Sequence, residues 1–73
     1  MRAKFTEKTV ATSSYRWHSG QMVEVRNNLK YKNMFTVRAE DGWEGDAYPH
    51  ELSECSPELS LLIAKLRILG YAS

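Results

Sequence analysis

Between Asn33 and Leu52 apolar and polar residues alternate about one turn, and the alternation selects a register. Asp41-Gly42 is a hairpin signal. A two-residue loop there would set Val37 opposite Asp46 and Ala39 opposite Glu44, mixing core and solvent residues on one face. A three-residue loop, Glu40 to Gly42, pairs Ala39 with Trp43, Val37 with Gly45 and Phe35 with Ala47 on one face. The other face then carries Arg38 opposite Glu44 and Thr36 opposite Asp46, which are favourable cross-strand pairs. A slip by one residue would turn the whole apolar set to water, so the three-residue loop is the expected one. It also places Gly42 at the left-handed position of a type I turn with a glycine bulge.

Upstream, Gln21 to Arg26 reads as a short strand with Val23 and Val25 on one face and Met22, Glu24 and Arg26 on the other. Asn27 to Asn33 holds three asparagines and is expected to be a polar loop. Tyr15-Arg16-Trp17-His18 alternates aromatic and basic residues, which predicts a strand with Tyr15 and Trp17 on one face. Residues 1–14 fall outside this β core of residues 15–52. Phe5 and Val10 are out of phase, so the segment is a frayed strand or a flexible basic arm, and Ala11 to Ser14 reads as a linker. Downstream, Pro49 ends the hairpin, and Pro49-His50-Glu51-Leu52 reads as a single helical turn.

A helix is predicted over residues 56–69. Ser56 stands at the N-cap, Pro57 at the first helical position, and Glu58 near the positive end of the dipole. Leu59, Leu62, Ile63, Leu66 and Leu69 recur on one face, and Gly70 suits the position after the end. Leu61 and Ile68 lie off that face; burial against the flank of the β core is favoured over an exposed pair for a partner. The fold class is therefore α+β, mostly β: a small antiparallel sheet or barrel with one C-terminal amphipathic helix.

Composition adds limits. The 73 residues make one domain, near the lower size at which a core suffices without staples. Cys55 is the single cysteine, so there is no internal disulfide and no cysteine framework for a metal, which fits a cytoplasmic setting. The opening residues contain no apolar stretch of the secretory type, and the longest fully apolar run, Leu61 to Ala64, cannot span a bilayer. The net charge of +1 conceals a division: residues 1–38 carry +6, residues 39–58 carry −7, and Lys65 with Arg67 supply +2. The halves either neutralise each other within the fold or present a bipolar surface to a charged partner.

The run from Gly20 to Glu54 resembles small SH3-like barrels, including KOW-type modules. The residues that carry the likeness are the strand after Ser19-Gly20, the polar loop, the Asp-Gly hairpin, and Gly45-Asp46-Ala47-Tyr48-Pro49-His50-Glu51-Leu52. No acidic loop of the true SH3 type is present, so a proline-peptide pocket is not implied. Taken whole, the chain also resembles the small phage-encoded regulators that bind host RNA polymerase. That resemblance implies a non-enzyme that binds polymerase subunits, blocks initiation and in some cases alters termination, in the host cytoplasm.

Chemistry is poorly supported by the residues themselves. Cys55, His18, His50, the serines and the carboxylates form no nucleophile elbow, no Cys-His signature and no phosphate loop, and no catalytic, cofactor or metal site is expected. Binding is better supported. Arg16, Trp17, His18, Arg26, Lys30, Tyr31 and Lys32 interleave bases and aromatics and are the candidate partner-binding residues. Trp43 and Tyr71 are further candidate anchors, with Trp43 expected to lie inward. The favoured function is a protein-binding regulator of a larger machine, with bacterial RNA polymerase the candidate partner, acting as a monomer. The alternatives are a module that stacks and neutralises single-stranded nucleic acid and an accessory structural protein of a phage particle. An unobstructed basic aromatic face would favour nucleic acid; buried tryptophans and a bare strand edge would favour protein.

Overall fold

A computed structural model describes residues 1–9 and 12–70. Val10 and Ala11, which enter the expected arm and linker, and Tyr71, a candidate anchor, lie outside the described residues. Along the chain come β1 (Arg2–Phe5), α1 (Ser13–His18), β2 (Gln21–Asn27), β3 (Phe35–Arg38), β4 (Glu44–Ala47), a 3-10 turn (Pro49–Glu51), β5 (Leu52–Ser53) and α2 (Pro57–Ile68). The strands form one antiparallel sheet in the order β4-β3-β2-β1-β5.

The hairpin has the register its alternation requires. Phe35 faces Ala47, Thr36 faces Asp46, Val37 faces Gly45 and Arg38 faces Glu44. The loop closes with the Ala39 amide donating to the Trp43 carbonyl at 2.9 Å and the Gly42 amide to the Ala39 carbonyl at 3.0 Å. Gly42 has φ +91°, a conformation that side chains other than glycine's disfavour. Val23 and Val25 are buried on β2 as expected.

At the N-terminus the strand alternative holds for one segment, and the expectation for another is corrected. Residues 2–5 are a full strand of the sheet, hydrogen-bonded to β2 on one side and β5 on the other. Ala3 and Phe5 point into the core with no exposed surface, so the entropy of ordering this segment is offset by apolar burial. Residues 13–18 are helix, not strand. The Arg16 amide donates to the Thr12 carbonyl at 3.1 Å, and helical spacing puts Tyr15 and His18 on one side and Arg16 and Trp17 on the other. Four residues of alternation are outweighed by what Tyr15 and His18 gain against Trp43, as described below.

The core combines the inward positions of the sheet with Leu52, Leu59 and Ile63. Helix α2 starts where the Ser56 amide donates to the Arg2 carbonyl at 2.9 Å. Ser56 holds the N-cap position, but its side chain makes no capping bond and its hydroxyl is buried without a partner. Only Leu59 and Ile63 of the apolar face are fully buried. Leu61 is 62% exposed and Ile68 84%, so the expected burial of this pair is overturned. Among the described residues no helix is long and apolar enough to cross a membrane.

One buried charge ties the N-terminal segment down. Glu51 is 2% exposed. Its Oε2 accepts from the Lys8 amide at 2.9 Å, the Thr9 amide at 3.3 Å and the Thr9 hydroxyl at 3.1 Å, while Oε1 accepts from the Tyr48 amide at 2.9 Å. Four donors offset the desolvation of a carboxylate that would otherwise be prohibitive. The Lys8 ammonium lies alongside, donating to the His50 carbonyl at 3.1 Å.

Candidate interaction surface

The seven candidate residues divide between the two ends of β2. Arg16, Trp17 and His18 precede Gln21, where the strand starts, whereas Arg26 lies near its end at Asn27 and Lys30, Tyr31 and Lys32 follow it. Six strand steps separate these ends by roughly 20 Å. They do not form one patch.

At the first end the aromatics turn inward. The Trp43 indole lies across β4 against Gly45, where an added Cβ would meet its ring atoms at 2.6 and 2.8 Å. Tyr15 meets Trp43 edge-on at 5.1 Å between centroids, and Phe5 backs both rings. The Tyr15 hydroxyl accepts from the Asp46 amide at 2.9 Å, so α1 occupies a donor on β4, an outer strand of the sheet. His18 stacks on Trp43 at 4.2 Å with 4° between the planes. Its Nε2 lies 2.8 Å from Asp41 Oδ2 and its Nδ1 2.6 Å from the Ser14 carbonyl oxygen. Both ring nitrogens face acceptors, an arrangement only the imidazolium satisfies on both sides. The Asp41 hydrogen bond, then that to Ser14, holds the His18 pKa above its ordinary value. The same His18 bond, aided by the Trp43 amide, holds the Asp41 carboxyl below its own. Trp17 is left outside this cluster, 80% exposed.

At the second end Asn28 organises the loop. Its Oδ1 accepts from the Lys30 and Tyr31 amides, each at 2.8 Å, an Asx turn. Its Nδ2 donates to Asp46 Oδ1 at 2.8 Å and Thr36 Oγ1 at 3.3 Å, which fastens the loop to the hairpin. Lys30 sits over the Tyr31 ring at 5.3 Å. Arg26 on β2 is engaged at 2.7 Å by Glu44 on β4, diagonally over β3, where Arg38 is the pairing partner of Glu44. With Lys4–Glu54 at 3.7 Å and His18–Asp41, this pair joins the basic N-terminal stretch to the acidic one. The opposite charges of the two stretches therefore meet in part within the fold.

Lys32 belongs to something the spacing of bases and aromatics does not reveal. Between the loop and α2 lies an open apolar groove of about 320 Å³. Met34 and Phe35 form one wall, Leu62, Leu66 and Leu69 the other, and Lys32 and Lys65 stand at the rim. At 3.6 residues per turn, Leu62, Leu66 and Leu69 form a ridge next to the buried positions Leu59 and Ile63. The sheet covers only the inner part of this broad apolar sector. Leu69 is 68% exposed, and Leu61 and Ile68 continue the apolar surface beyond Lys65. Neither Lys32 nor Lys65 has a carboxylate within ion-pair distance among the described residues.

Comparisons with protein-family models, with curated proteins and with solved structures find no match to this chain.

Among the described residues no three His, Cys, Asp or Glu side chains converge as a metal site would require. Burial pushes the Cys55 thiol up from its ordinary value, with Arg67 opposing the shift, which disfavours the nucleophilic thiolate.

Proposed function

We propose that the chain is a non-catalytic protein-binding regulator built on an SH3-like barrel and working in the bacterial cytoplasm. The architecture is supported by the strand order β4-β3-β2-β1-β5 and by the 3-10 turn between β4 and β5. One observation carries the binding function: α2 presents Leu61, Leu62, Leu66, Ile68 and Leu69 toward solvent or an open groove, on a domain with few core residues to spare. Contiguous exposed apolar surface of this kind marks an interaction site. A regulator of this sort acts by mass action, occupying a surface that a competing factor or a moving part requires, with no turnover.

Bacterial RNA polymerase is the candidate partner on the strength of the likeness to phage regulators alone. The test is a titration of labelled protein with purified polymerase, core and holoenzyme, beside the double variant L62D/L69D. Tight binding by the native chain that the variant loses supports the proposal. Binding that persists in the variant moves the site elsewhere, and no binding removes polymerase as the partner. Single-stranded nucleic acid is the second reading, favoured by the exposed Trp17 beside Arg16. Binding of an oligonucleotide, weakened by Trp17→Ala and by salt, would put it first.

A further inference from the structure

We infer that the groove between α2 and the β2–β3 loop takes an acidic amphipathic helix, whose leucine-like side chains fill it while its carboxylates meet Lys32 and Lys65. The inference rests on the protein-binding reading and names the class of partner segment.

Three features select this occupant. Leu61 and Ile68 lie outside the groove, beyond Lys65, so a small ligand seated in it would leave their exposed apolar surface wet. An extended partner covers both. Leu62, Leu66 and Leu69 stand at i, i+4 and i+7, an apolar stripe along one face of α2 of the kind a partner helix packs against. The charge at the rim is of one sign. Lys32 and Lys65 flank the apolar walls and lack carboxylate partners among the described residues, while Asn27 and Asn28 are the remaining polar lining. Acids beside the apolar stripe of a partner are attracted there, and bases are repelled.

The test needs no polymerase. A fluorescein-labelled synthetic helix with leucines at i, i+3, i+4 and i+7 and flanking glutamates is titrated with the full chain, beside the same helix with flanking lysines. The native chain should bind the glutamate helix about tenfold more tightly than the lysine helix, as two exposed charge pairs changing sign would give. The doubly charge-reversed variant K32E/K65E should invert that order. Both side chains are exposed, and circular dichroism checks that the variant is folded. Equal binding of the two helices, binding of neither, or an unchanged order in the variant would overturn the inference. So would sedimentation showing that a second copy of the chain fills the groove, with dimerisation lost in L62D/L69D. Failure with polymerase but success with the glutamate helix would discard the partner and keep the groove; the reverse would overturn the inference and leave the protein-binding reading standing.

Discussion

The two ends of β2 treat aromatic and charged residues in opposite ways. At the start of the strand, Tyr15, Trp43 and His18 consume one another's surface: rings stack, the tyrosine hydroxyl accepts a strand amide, and the imidazolium finds a carboxylate. At the far end, leucines face an open groove and Lys32 and Lys65 face no acid among the described residues. Buried polar groups without partners are costly, so a closed network is what a chain builds for its own stability. Exposed leucines contribute little to stability at their site, and the proposed binding function rests on a cluster of them on a small domain. The contrast separates residues that hold the fold from residues that the fold leaves open, to which the proposal assigns binding.

The contrast is broken most severely on a single helix. Leu59→Ala should cost about 2–5 kcal/mol, because Leu59 has no exposed surface and its loss leaves a cavity. Leu69→Ala should change stability by less than about 0.5 kcal/mol. Urea denaturation of both variants measures the pair, and equal losses would show that the groove wall is core. Glu51→Gln comes next. The amide sets a donor where Oε1 or Oε2 now accepts from backbone, so about 2 kcal/mol should be lost. Hydrogen exchange should show faster opening of the amides of Lys8 and Thr9, which donate to that carboxylate. Gly45→Ala should cost roughly 1–3 kcal/mol, since the new Cβ would overlap the Trp43 ring. Near-ultraviolet circular dichroism reports whether the indole has shifted, and an unaltered spectrum with unaltered stability would refute the close packing described for it.

How far the sequence discloses each end follows from the length of its patterns. The hairpin is legible because five cross-strand pairs and a glycine turn agree on one register. Strand β1 is not, since its inward set is only Ala3 and Phe5, and adding Val10 puts it out of phase. Helix α1 is misread because Tyr15-Arg16-Trp17-His18 alternates like a strand, while the contacts that decide it come from Trp43, far along the chain. The site is half legible. Interleaved bases and aromatics single out Lys32, but also select Arg26, which Glu44 already engages, and His18, which Asp41 engages. Helical spacing identifies Leu62, Leu66 and Leu69 as one face. It does not say how much of that face a small sheet can cover, and that shortfall makes the groove. Signals that would have pointed there are the breadth of the leucine sector and Lys65 standing between Leu61 and Ile68.

The gentlest probe of the comparison is pH. His18 has an acceptor at each ring nitrogen in the fold, and its raised pKa means that folding favours the protonated ring. That contribution is fully present below the unfolded histidine value of about 6.5 and is lost as pH rises through the higher folded value. Asp41, held down by the same bond, contributes above the unfolded value of about 3.9 and loses its share as pH falls through its lower folded value. The latch between α1 and the β3–β4 turn is therefore complete between about pH 4 and 6.5 and slackens above. Asp41 is solvent-exposed, which keeps the effect small. Stability followed across neutral pH should decline in the native chain and stay flatter in His18→Gln, with the Trp43 signal changing over the same range. Binding of the glutamate-flanked helix at the far groove should not follow that titration, because no residue of the latch lines the groove. A parallel loss of peptide binding would show that the two ends are coupled, and that the division between holding and binding is drawn in the wrong place.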